Sequence, residues 1–91
     1  MPEPLEAFVD DEDAYNHWYR QHWRGYVLNA DRRPSDRYLM LHRVPCPHLE
    51  GNLQWTTSGY SKVCSPTKEA LDAWTQSEFG RHADRCSTCQ P

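Results

Sequence analysis

Ninety-one residues suffice for one small domain, whose core is marginal without a cross-link or a bound metal. Hydrophobic residues are only 37% of the chain, but four Trp, five Tyr and two Phe exclude the aromatic-poor composition of a disordered segment, and no stretch approaches the roughly 18 apolar residues of a membrane span. The net charge of -3 is unevenly placed: Glu3, Glu6, Asp10, Asp11, Glu12 and Asp13 precede the first base, and the rest of the chain is net basic.

In chain order, residues 1–13 read as an acidic, flexible lead. Their MPEPLEAFVDDED has neither the basic nor the apolar region of a secretory leader, so a cytoplasmic protein is expected. DDEDAYNHWYRQHWRG then reads as a helix. Asp10 or Asp11 can cap it, acids fill its first turn, and Gly25 follows as a stop. Tyr15, Trp18, Tyr19, His22 and Trp23 fall on one face of that helix, as core rather than as a ligand site.

GYVLN (25–29) reads as a strand and ADRRPSD as an exposed loop. YLMLHR (38–43) and YSKVC (60–64) are short β-type runs, separated by the turn-rich PCPHLEGNLQWTTSG. SPTKEALDAWTQSEFG is a helix with Ser65 as N-cap, Pro66 in the first position and Gly80 past the end. It is expected to bury Ala70, Leu71 and Trp74, and to pack Leu71 and Trp74 onto a sheet bearing Tyr38, Met40 and Val63. The fold class is α+β: a small zinc-stabilised single domain (1–91) with a short antiparallel sheet, an N-terminal helix and a helix before the C-terminal CxxC.

That CxxC, Cys86 and Cys89 in RCSTCQP, carries the chemistry. In a reducing compartment paired cysteines are more often metal ligands or reactive thiols than disulfides. A structural zinc site needs four N or S donors, commonly as two close-spaced pairs. The best second pair is His42 and Cys46 in LHRVPCPH, a strand end and the proline-flanked turn after it. Mixed thiolate and imidazole donors suit Zn2+. Cys64, at a strand end, reads as a small buried hydrophobe. His48 and His82 remain open as competing ligands, since spacing alone does not decide between them, and His17 and His22 default to core or surface roles.

LHRVPC, a later strand, the helix KEALDAW and the closing CSTCQP resemble the Ada-type zinc-binding domain of bacterial methylphosphotriester-repair proteins, over roughly residues 38–91. The resemblance implies a zinc-binding half with His42, Cys46, Cys86 and Cys89 as ligands and Pro91 as the closing proline; it gives Cys64 no ligand role. It also implies a difference. In those proteins the first ligand of the CxxxC pair is the cysteine that accepts a methyl group, whereas this chain has His42. An imidazole already bound through one nitrogen is a poor alkyl acceptor, so repair chemistry is expected to be absent. Arg85 also replaces the proline usual before the CxxC.

Three functional readings follow. Arg20, Arg24, Arg32, Arg33, Arg37 and Arg43, interleaved with Trp23, Tyr26 and Tyr38, suit a non-enzymatic module that binds nucleic acid, DNA first, or assists a DNA-processing system; the same arginines could equally form a solvated face. The acidic N-terminus and net negative charge suit a protein-interaction adaptor, including a phage or defence-system regulator. An enzyme is the least supported, because no phosphate loop, paired carboxylates or nucleophile order is visible. Neither a membrane nor a small-molecule substrate is indicated.

Overall fold

The computed structural model describes residues 5–49 and 59–91, with backbone only at His48. The chain forms β1 (Glu6–Phe8), α1 (Glu12–Gln21), β2 (Tyr26–Asp31), β3 (Leu39–Arg43), a 3-10 turn (Pro47–Leu49), β4 (Tyr60–Ser65), α2 (Lys68–Phe79) and β5 (Asp84–Arg85). The five strands make one mixed sheet in the order β1-β4-β2-β3-β5. Every pairing is antiparallel except that of β5 with β3. The expected α+β fold with a short sheet therefore holds, and its last strand adds one parallel pairing. Glu6–Phe8, part of the expected flexible lead, pairs with β4.

The pleat assigns the two faces, because residues directly opposed in antiparallel strands point the same way. Val27 opposes His42 on one side and Cys64 on the other, which sets one row of the first face. This face packs with Tyr15, Trp18 and Tyr19 of α1, and its cluster continues through Val44, Cys46, Cys86 and Cys89. Leu28, Ala30, Leu39, Leu41 and Val63 form the other face, against Leu71 of α2. One helix thus covers each side of the sheet.

This arrangement corrects the expected packing of α2. Leu39 and Leu41, not Tyr38 and Met40, lie in its cluster, while Met40 packs with the α1 cluster. Tyr38 precedes β3. YLMLHR is apolar on both faces, so its own alternation cannot set the phase; pairing with β2 does. Val63 and Leu71 are placed as expected, and Trp74 is half-buried against the same cluster. The buried residue beside it is Thr75, whose hydroxyl donates to the Asp72 carbonyl at 3.1 Å.

The helix caps follow the sequence with two shifts, at the end of α1 and the start of α2. Asp11 caps α1 by accepting from Ala14 N–H at 3.1 Å. Thr67, not Ser65, caps α2 by accepting from Ala70 N–H at 3.3 Å, because Ser65 is still in β4, paired with Tyr26. Gly80 closes α2 at φ 69°, a left-handed conformation that favours glycine. His22 caps the C-terminus of α1, so Trp23 leaves the helical periodicity. It is 55% exposed, contrary to the core position expected for it. Gly25 is buried beneath Trp18, where a Cβ would sit 2.9 Å from the indole ring. No described helix is long and apolar enough to cross a membrane.

Candidate metal centre

Three pieces of chain converge at one end of the first face. β3 delivers His42, 4% exposed, on the row shared with Val27. The chain then turns through a cis Val44–Pro45 peptide, with Val44 N–H donating to the Gly25 carbonyl at 2.9 Å. Cys46 follows, wholly buried, its N–H donating to the Tyr19 hydroxyl at 3.4 Å. The third piece is the C-terminal CxxC. Cys86 N–H donates to the Leu41 carbonyl at 2.9 Å, directly after β5, so the parallel strand aims Cys86 at the end of β3. Gln90 N–H donates to the Cys86 carbonyl at 3.0 Å and Gln90 has φ 51°, which folds Cys89 back over the same point.

The donor atoms of His42, Cys46, Cys86 and Cys89 all lie within 4.8 Å of one another, and all four residues are buried. Sγ of Cys46 is 3.5 Å from Nδ1 of His42 and 3.8 Å from Sγ of Cys86. The second distance is far beyond the roughly 2.05 Å of a disulfide bond, and none of the four cysteines is disulfide-bonded. Arg43 N–H donates to Sγ of Cys89 at 3.2 Å. Burial pushes the Cys86 thiol up, but the Cys89 and Thr88 backbone groups and the Cys46 and Cys89 thiols outweigh it, drawing its pKa down to about 7. The N–H groups aimed at sulfur, against the effect of burial, favour the thiolate form that metals bind. The cluster could hold a metal ion.

Among the described side chains, the competing ligands fall away from this point. Cys64 is fully buried on β4, and β2 separates it from β3, which puts it about 10 Å from His42 at the usual strand spacing. Burial raises its pKa well above the ordinary thiol value, as for a core residue. His82 and His17 are exposed. His22 stacks on Trp18 with ring centroids 4.3 Å apart, and its Nδ1 lies 2.9 Å from the Trp18 carbonyl. The His48 side chain lies outside the described residues. Tyr19 is a supporting residue with no local sequence signal: its contact with Cys46 spans 27 positions.

The six arginines are not brought together. Arg20 is exposed near the end of α1. Arg32, Arg33 and Arg37 line a cleft of about 550 Å³ with Asp31, Tyr38 and Gly59, and Arg32 is ion-paired with Asp10. Arg24 and Arg43 lie at the other end of the β2–β3 hairpin, in a second cleft. From the Tyr26–Arg43 pair to the Ala30–Leu39 pair the strands rise about 14 Å.

Fold and cluster together define a small α+β domain with a candidate metal centre of one imidazole and three thiols. Comparison with protein-family models, curated proteins and solved structures gives no match.

Proposed function

We propose that the protein is a non-catalytic zinc module that binds nucleic acid through its arginine surfaces. The observation that carries the zinc reading is the geometry of the donors. Zn–S bonds of about 2.3 Å and Zn–N bonds of about 2.0–2.1 Å at the tetrahedral angle require S···S near 3.8 Å and S···N near 3.6 Å. Cys46 Sγ meets both values, at 3.8 Å from Cys86 Sγ and 3.5 Å from His42 Nδ1, and all four donors lie within 4.8 Å of one another. Four protein donors fill a tetrahedron and leave no open position for a reactive water. With His42 where the Ada-type pattern has its methyl-accepting cysteine, the centre is structural. Such a metal contributes folding free energy on the order of 10 kcal/mol in small zinc peptides, which offsets the thinness of the aromatic core.

The nucleic-acid reading rests on exposed arginines near aromatic residues, and on the resemblance to a DNA-repair domain. Zn2+ with three thiolates and a neutral imidazole carries net negative charge, so phosphates would meet the arginines rather than the centre. A second reading, an adaptor for a protein partner, is favoured by one feature. The groove between β1 and α1 sets Glu6 and Asp13 beside Phe8 and Trp18, which suits a basic segment with an apolar side chain.

Elemental analysis of the purified chain, with DNA and RNA binding measured across a salt series, tests the proposal. It expects one zinc per chain and affinity that falls linearly with log salt. Zinc-loaded protein that binds no nucleic acid but binds a basic peptide would favour the adaptor.

A further inference from the structure

Trp23, Arg24, Tyr26, Arg43, Val44 and Pro45 line a cleft of about 490 Å³ where β2 begins and β3 ends. Its lining contains two cations and no acid. Among the described residues neither Arg24 nor Arg43 has an ion-pair partner. The other arginine cleft differs on both counts: Asp31 lines it, and Arg32 is held by Asp10. Trp23 is 55% exposed, so a large aromatic face is open to a ligand in the first cleft.

Trp23 nevertheless packs against a buried ring. Its ring stands edge-on to Tyr19, 6.3 Å between centroids and 87° between planes, and the Tyr19 hydroxyl accepts from Cys46 N–H. Arg43 is tied to the same centre through its backbone bond to Cys89. An exposed indole that shares a cleft with two arginines suits an unpaired base and its neighbouring phosphates. A duplex offers its phosphates but keeps its base faces stacked inside.

We infer that this cleft is a stacking subsite for single-stranded nucleic acid, in which Trp23 takes the face of an unpaired base and Arg24 and Arg43 hold the adjoining phosphates. The inference rests on the nucleic-acid reading above and names which strand form that surface takes.

The test uses the full zinc-loaded chain and fluorescence anisotropy of a labelled thymidine strand of roughly 12 nucleotides, within the usual site size of single-strand binders, and of the matching duplex. The strand should bind more tightly than the duplex. Trp23→Ala should weaken strand binding about 5- to 100-fold without changing its salt slope, while Trp23→Phe retains most of the affinity. Arg24→Ala with Arg43→Ala should instead flatten the slope by about 1.4, at about 0.7 per single-strand phosphate contact. Unchanged zinc content in each variant reports intact folding. Wild-type strand affinity in Trp23→Ala, or tighter binding of the duplex, overturns the subsite. If replacing Arg32, Arg33 and Arg37 with Ala then weakens duplex binding, the broader nucleic-acid reading survives without it. Thymidine monophosphate competing at the strand's own concentration overturns the strand as occupant. No binding of either probe overturns subsite and reading together.

Discussion

Arg43 and Cys89 are 46 positions apart in sequence, and the backbone N–H of the first donates to the sulfur of the second at 3.2 Å. This bond joins β3 to the C-terminal turn at the point where the four donors meet. A metal there would therefore hold the last segment of the chain against the sheet. Cys86→Ser or Cys89→Ser should abolish zinc retention and release the segment from β5 onward, as read by elemental analysis and hydrogen exchange. Cys64→Ala should keep one zinc per chain, being about two strand spacings from His42. Zinc lost from Cys64→Ala but kept by His42→Ala would show the ligand set to be wrong.

The second core gives a ranked pair. Leu71 is 1% exposed within the α2 cluster, whereas Trp74 is only half-buried against it. Leu71→Ala should cost about 2–5 kcal/mol through lost burial and the cavity left behind. Trp74→Ala should cost less, despite removing the larger side chain. Urea unfolding of both variants checks the order, and the reverse order would place Trp74, not Leu71, at the centre of that packing.

Gly25 lies where α1 meets the sheet. A methyl group there would stand 2.9 Å from the ring of Trp18 and 3.2 Å from the backbone oxygen of His22. Trp18 is itself buried and has little room to yield. Gly25→Ala should lower stability by about 1–3 kcal/mol, the usual cost of overpacking. Gly80→Ala meets no atoms within 4 Å but must adopt φ 69°, so a loss of roughly 1–2 kcal/mol is expected there from the backbone alone. Thermal midpoints of the two variants measure both.

Lys62 is 2% exposed, and its Nζ donates to the Asn29 side-chain oxygen at 2.6 Å. Burial pulls its pKa down to about 8, against the opposing fields of Cys64 and Glu12. The unfolded lysine titrates near 10.4. Between those values the folded chain binds fewer protons than the unfolded one, so this residue makes stability rise with pH from about 8 to about 10.4. Lys62→Met removes the rise, so the wild-type advantage over the variant should grow across that window. Denaturant midpoints of both proteins at pH 7 and pH 10 report it; a gap independent of pH would mean that Lys62 titrates as it does in the unfolded chain.

The donor cluster was legible because its chemistry restricts residue type. Only His and Cys at close spacing present neutral nitrogen and thiolate sulfur, and those letters stand out in any sequence. The long helices were legible through their caps and periodicity. Strands of three and two residues carry no period, so Glu6–Phe8 was hidden in an acidic run and Asp84–Arg85 in a linker. The inward face of β3 was equally hidden, because Leu39, Met40 and Leu41 are apolar in both directions. Arginine clustering along the sequence did not survive folding, since a hairpin carries the two ends of the run apart.

Asp84–Arg85 is a two-residue strand that covers the outer side of the longer Leu39–Arg43. Cys86 follows it directly, so an ion bound at Cys86 would also keep that side closed to other chains. Without the ion, the LMLHR strand would offer unpaired N–H and C=O groups beside an apolar face, the template on which a second molecule can add. Chelation should therefore produce concentration-dependent association as well as unfolding, visible as light scattering that zinc reverses while the protein is still dilute. Scattering that stays flat after complete zinc removal would show that other residues guard this side. A metal held there would guard the sheet against association as much as against unfolding.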